Sequence, residues 1–518
     1  MSMSSKGRPT SPVAANSNEH ETVSGNKGLM QAENLIFEIG TPRRTGVDFE
    51  PAKDVRSRLG GMERTSEIGL PGLTEPQTLR HYVRLSQKNY AIDLGVYPLG
   101  SCTMKHNPRL NEKVARMPGF GDVHPLQPQS TVQGALELID ELAHWICTLT
   151  GMPAVAMTPK AGAHGEWCGM AAIRAKLDAD GQTHKRRVLV PESAHGTNPA
   201  TAAQCGFSID EIPASGDGRV NLAALKEKLG DDVAGIMLTN PNTCGLFERD
   251  IIEIAELIHS VGGYFYCDGA NFNALVGRVR PGDLGIDAMH LNLHKTFSTP
   301  HGGGGPGAGP TVLSDALKDH APLPFVIKDG EKYRLVEHSN GEGADSFGRM
   351  CAFHGQMGMF TRALTYMMSH GSDGLRQATE DAVLNANYIQ SSLSDVMTPA
   401  FGGVCMHEAL FDDRFLENTG VTTLDFAKAM IDEGYHPMTM YFPLVVHGAM
   451  LVEPTESESK QELDRFISAM RGLAVRAKNK ETAFFQTAPV HAPMRRLDET
   501  QAARKPVLRW TEAVAASE

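Results

Sequence analysis

Nowhere in the 518-residue chain do apolar residues run for the roughly 18 positions that a membrane-spanning helix needs, so no helical span is expected. The N-terminal segment has no apolar h-region, which argues against a signal peptide. Arg8 is the only arginine among its first 28 residues and acidic residues are present, which argues against a transit peptide. None of the eight cysteines forms a CxxC pair, the pattern of a reducing compartment with mostly buried thiols. Cys102 and Cys244 stand in polar segments and are expected to be structural. Basic charge is in short supply: a net charge of -12 speaks against broad nucleic-acid binding. No internal repeat is present, and no Gly-x-x-x-x-Gly-Lys-Ser/Thr pattern surrounds Gly302–Gly305, so a nucleotide loop is not expected there. Together these absences predict a cytoplasmic protein without a membrane or nucleic-acid partner.

What remains is a long chain with 41% hydrophobic and 21% charged residues, typical of globular proteins and enough for two or more domains. Residues 1–28, rich in Ser, Asn, Gly and Pro, read as a disordered tail. Residues 29–85 read as an arm that wraps another surface, 86–370 as a large domain, 371–490 as a smaller α+β domain, and 491–518 as a tail. In the large domain, β-like runs (Arg187–Pro191, Val233–Leu238, Tyr264–Cys267, Met289–Leu293) alternate with helical ones such as Asn221–Leu229 and Arg249–Val261. Alternation of this kind predicts an α/β fold with a mainly parallel sheet, whose ligands bind at the carboxyl ends of the strands.

Two residues stand at such ends. The apolar run Met289, Leu291, Leu293 leads into His294-Lys295 and then a glycine cluster, while Gly263-Tyr-Phe-Tyr-Cys leads into Asp268-Gly-Ala-Asn271. An amine poorly placed for solvation becomes a better nucleophile, suited to a Schiff base with an aldehyde cofactor. A lysine for the aldehyde and an acid for the ring nitrogen are what pyridoxal 5'-phosphate (PLP) requires of its protein. Lys295 and Asp268 are therefore candidate catalytic residues.

Further polar loops follow other predicted strands. Gly162, Ala163, His164 and Gly165 open a helical run, where free N–H groups and the helix dipole favour a phosphate. His195, in Glu192-Ser-Ala-His-Gly-Thr-Asn-Pro199, offers a flat ring to stack on a cofactor. Asn240 and Thr243 can hydrogen-bond a ring hydroxyl or a phosphate. Ala270 beside the acid and His294 beside the lysine complete the cofactor-binding set.

These segments, with Tyr97-Pro-Leu-Gly-Ser-Cys-Thr-Met-Lys105, Phe442-Pro-Leu-Val-Val-His-Gly-Ala449 and Glu453-Pro-Thr-Glu-Ser-Glu458, resemble glycine decarboxylase, the P-protein of the glycine cleavage system. The resemblance covers roughly residues 30 to 490 and is to the lysine-bearing half, which forms subunit 2 of the split two-subunit form. It implies fold-type I PLP architecture and an α2β2 heterotetramer with subunit 1. It also implies glycine as substrate and the lipoyl-carrying H-protein as partner. In that scheme Lys295 holds the cofactor, His195 stacks on its ring, and Asp268 pairs with its nitrogen. Glycine loses CO2 and its aminomethyl group passes to the lipoyl arm, whose disulfide is reduced. Tyr97–Lys105 and His301–Gly305 are expected to border the entrance. Ser298-Thr299 and Lys160 depart from the family pattern. Rival readings are another fold-type I PLP enzyme, such as an amino-acid decarboxylase or a cysteine desulfurase, and a non-catalytic scaffold subunit. No cysteine occupies the flexible tip a desulfurase needs, and a scaffold has no chemical need for Lys295, Asp268 and His195 together.

Overall fold

The computed structural model describes residues 33–41, 44–46, 49–50, 58–66, 68–302, 307–492 and 494–511. The expected tail at 1–28 and the glycines Gly303–Gly305 lie outside them. The chain divides into two compact units, one made of the segments up to Tyr90 and from Val490 onward, the other of Ala91–Pro489.

In the first unit the main element is the helix Glu75–Lys88, started by a reciprocal cap between Thr74 and Gln77. Glu33 accepts two 2.6 Å hydrogen bonds from Arg84 on this helix, and that guanidinium holds its carboxyl at about 2. Phe37 stacks on Trp510 at 5.4 Å.

The second unit is built on a seven-stranded sheet. Its strands are β1 (Ala154–Ala156), β2 (Arg187–Pro191), β3 (Ser208–Ile212), β4 (Val233–Thr239), β5 (Tyr264–Gly269), β6 (Ala288–Leu291) and β7 (Thr311–Leu313), in the spatial order β1-β7-β6-β5-β4-β2-β3. Strands β3, β2, β4, β5 and β6 are parallel, and β7 and β1 close one edge antiparallel. The fold is thus α/β with a mainly parallel sheet. All seven residues of β4 are buried, as expected of a strand covered on both faces. Ile236 and Leu238 face a core shared with the helices Gln133–Thr150 and Ile251–Ser260. Ala234 and Met237 face a second core under the helix Gly162–Ala179.

A hairpin (β8, Phe325–Asp329, and β9, Lys332–Val336) precedes the 37-residue helix Met357–Leu393, which Gly371 breaks at φ 64. The N-terminal part of that helix packs into the large core, whereas Ala386, Ile389 and Leu393 enter a separate core with Phe411, Phe426 and Phe466. This smaller α+β body holds an antiparallel sheet of β10 (Thr398–Pro399), β11 (Ala409–Asp412), β12 (Thr439–Met440) and β13 (Met450–Val452), in the order β10-β11-β13-β12. The helices Thr423–Asp432 and Lys460–Lys478 contribute the rest of its core.

Candidate active site

Residues at the carboxyl ends of β4, β5 and β6 share a cavity of about 220 Å3 with the start of the helix Gly162–Ala179. Strand β6 ends at Leu291, two residues earlier than its apolar pattern suggested. Asn292 then opens a short helical turn, Leu293–Thr296, which carries His294 and Lys295. Lys295 is half-buried and donates from Nζ to the carbonyl of Ser101 at 2.6 Å.

Asp268 sits opposite His290 in the parallel register of β5 and β6. The close approach of the strands there requires Gly269, since a Cβ would lie 1.9 Å from the His290 carbonyl. One carboxylate oxygen of Asp268 accepts from Ala270 N at 2.9 Å and lies 3.5 Å from His290 Nε2; the other accepts from Asn198 Nδ2 at 3.0 Å. Burial pushes this carboxyl up, but His290, the Ala270 N–H, Asn198 and Lys295 outweigh it and leave Asp268 below its ordinary range.

Asn198 Nδ2 also donates to Glu166 at 3.0 Å, so one amide bridges two buried carboxyls. Thr197 and Thr201 donate to Glu166 at 2.7 and 3.3 Å. Burial, then the neighbouring Asp268, pushes Glu166 up to about 7. His195 is exposed on the cavity wall, with Nδ1 2.8 Å from Thr197 Oγ1 and its ring edge-on to Phe442 at 5.6 Å. His294 meets His301 edge-to-face at 5.2 Å, and burial brings the two imidazoles down to about 3 and about 4.

Of the residues singled out in the sequence, Gly162, Ala163, His195, Thr243, Asp268, Ala270, His294 and Lys295 line the cavity together. Three stand off its wall. His164 accepts from Lys160 N at 3.1 Å and stacks on Trp167. Gly165 packs on β6, where a Cβ would lie 2.6 Å from His290 Cβ. Asn240 turns its side-chain oxygen to Glu248 N at 3.0 Å. Lys160 faces the ring of Phe353 at 5.1 Å, and Ser298 donates to the His106 carbonyl.

Sequence reasoning passed over Glu166, His290, Asn292 and Ser101, all close to the same chemistry. His290 could have been found by alternation along β6, since it faces the same way as Asn292, the residue before the helical turn. The Tyr97–Lys105 segment reaches the site through the small domain. Gly100 N donates to Leu451 O of β13 at 3.3 Å, and Lys105 pairs with Glu456 at 2.6 Å.

Residues 165–305, which include Asp268 at the end of β5 and Lys295 in the turn after β6, match the family model of class-V aminotransferases. Residues 378–492 match the model for the C-terminal domain of glycine dehydrogenase. The chain is 69% identical to a "probable glycine dehydrogenase (decarboxylating) subunit 2" of Caulobacter vibrioides, over 99% of each chain. It is 47% identical to the protein so described in Listeria innocua, over 93% of this chain and 98% of that one. The chain belongs to the family of glycine dehydrogenase (decarboxylating) subunit 2. Among solved structures, an inhibitor-bound glycine decarboxylase (P-protein) of the glycine cleavage system superimposes with a TM-score of 0.69 at 21% identity, covering 82% of this chain and 100% of that one. A Lactobacillus brevis glutamate decarboxylase gives 0.61 at 13%, covering 85% and 98%. At these identities the likeness is one of fold.

Proposed function

We propose that this chain is the lysine-bearing subunit of a PLP-dependent glycine decarboxylase, acting with a partner subunit as an α2β2 heterotetramer. It releases CO2 from glycine and passes the aminomethyl group to the lipoyl arm of H-protein, whose disulfide is reduced. A cytoplasmic location belongs to the same reading; among the described residues no helix is long and apolar enough to cross a membrane. The observation that carries the proposal is the meeting of Lys295 with a low-lying Asp268 in one cavity.

The wall suits PLP in its polar groups. Thr239 Oγ1, Asn271 Oδ1, Asn292 Oδ1 and His294 Nδ1 line or border it, are buried, and have no hydrogen-bond partner among the described residues. Such groups cost free energy unless a ligand or water satisfies them. The first turn of the helix Gly162–Ala179 adds N–H groups without side-chain caps, suited to a phosphate.

When bound, PLP supplies an electron sink for the pair left at glycine's α-carbon as CO2 departs. Lys295 would be the amine that holds the aldehyde. Asp268, kept ionised, would hold a proton on the ring nitrogen. His195 would offer its ring to the cofactor's face, and the Ser101 carbonyl accepts from the Lys295 amine and positions it.

The test is the absorption spectrum of the chain purified with its partner subunit, before and after borohydride. A near-visible band that borohydride fixes onto Lys295 is expected. Absence of the band from the complex would sink the proposal and favour a scaffold subunit.

A further inference from the structure

Strands β11 and β13 pair antiparallel with Ala409 opposite Val452, so the next residues along, Glu408 and Glu453, face each other across the strands. Both are fully buried, as is His407. One oxygen of each carboxyl and one ring nitrogen of His407 lie within 4.8 Å of one another. Like charges directly opposed in a pair of strands repel, and burial removes the water that would screen them.

Each acid grips the same loop. Glu408 accepts from Ser101 N, and Glu453 accepts from Thr103 N at 3.0 Å. Ser101 and Thr103 both adopt left-handed backbone, with φ of 64 and 42, which L-residues enter only when surrounding contacts hold them there. The carbonyl of Ser101 is in turn the hydrogen-bond partner of Lys295 Nζ. The remaining oxygens, Oε2 of Glu408 and Oε1 of Glu453, receive no hydrogen bond from a donor among the described residues, and His407 Nε2 lies 3.7 Å from Glu453 Oε1.

We propose that Glu408 and Glu453 share one proton, and that this carboxyl pair clamps the Ser101–Thr103 loop so that the small domain positions the amine of Lys295. The proposal rests on the reading of Lys295 as the cofactor lysine. Burial, then the facing Glu453, holds Glu408 well above the ordinary carboxyl range, so it is the neutral donor of the pair. Other titratable groups facing the pair are Lys295 and His301, Cys102 on the loop, and Cys244, Cys405 and His407. Glu408 and Glu453 act through the loop and are positioning residues.

The experiment uses the holoenzyme with its partner subunit. In Glu408→Ala, kcat should fall about 100-fold, the scale of a misplaced reacting group, with little change in the KM for glycine. The rate at which the apo complex forms the borohydride-fixable band should fall with it. Glu408→Gln, which keeps a neutral donor, should recover most of both. Loss of the shared proton opens the clamp, so the alkaline limb of kcat should move to higher pH in Glu408→Gln; a purely structural role would leave it in place. Should Glu408→Ala fail to assemble, the alkaline limb of Glu408→Gln decides alone. Wild-type rates in Glu408→Ala, or an unmoved limb in Glu408→Gln, would overturn the clamp. So would a stoichiometric divalent cation in the holoenzyme that Glu453→Gln releases. A wild-type complex without the band on Lys295 would instead remove the reading beneath it.

Discussion

Two pairs of buried carboxyls each have one member, Asp268 or Glu408, that feels the charge of Lys295, and they are held by different means. Asp268 and Glu166 lie at the large sheet, joined by the amide of Asn198 and supported by His290, Thr197 and Thr201. Glu408 and Glu453 lie at the small sheet, where each accepts a single backbone N–H. In the first pair His290 and Lys295 stand beside Asp268 and keep it low, while Glu166, despite three hydrogen-bond donors, is buried against the Asp268 charge and rises to about 7. In the second, burial finds no comparable compensation and Glu408 rises well above the usual range. The same desolvation thus favours an anion at one site and a neutral acid at the other, according to the sign of the charges that stand beside each.

The largest expected effect separates the lysine from both pairs. Lys295→Ala should keep the fold, by circular dichroism, and abolish both the borohydride-fixable band and turnover. Asp268→Asn should break the anionic side of the comparison, lowering kcat by about 10²–10³-fold, as when one preorganised electrostatic partner is lost. Steady-state rates with glycine check it.

Glu166→Gln sharpens the comparison by pH. Burial raises the folded-state value of Glu166 from 4.5 to about 7, so its protonated form favours the folded state. That contribution, on the order of 3 kcal/mol, is fully present below about pH 4.5 and lost as pH rises through about 7. The fall in apparent Tm between pH 5 and pH 8 should therefore be shallower in Glu166→Gln than in the wild type. The smallest effect is expected for His164→Ala, which removes a ring from outside the cavity. Cofactor affinity, by spectral titration, should change by no more than about 2-fold.

Strands β2, β4 and β5 were legible because a sheet covered on both faces demands unbroken apolar runs. The same signal misplaced the end of β6. Leu293 is fully buried, but in a helical turn rather than a strand, and apolarity reports burial without distinguishing the two. At the helix start, spacing decided which of five neighbouring residues reach the cavity. Gly162, Ala163 and Glu166 share one face at 3.6 residues per turn, while His164 and Gly165 rotate away. Asn240 was placed correctly after β4, but its side chain is taken up by Glu248 N, a local competition that composition does not reveal.

The order of residues along the chain determined the α/β alternation, the strand end bearing Asp268, the place of Lys295 just after β6, and the family motifs, because each depends on local pattern. Tertiary structure alone decided that Asn198 would bridge two acids, that His290 would stand beside Asp268, and that Glu408 would meet Glu453. Those contacts depend on strand register and domain packing between residues far apart in the chain. Their energies come from desolvation, which exists only once the core has closed.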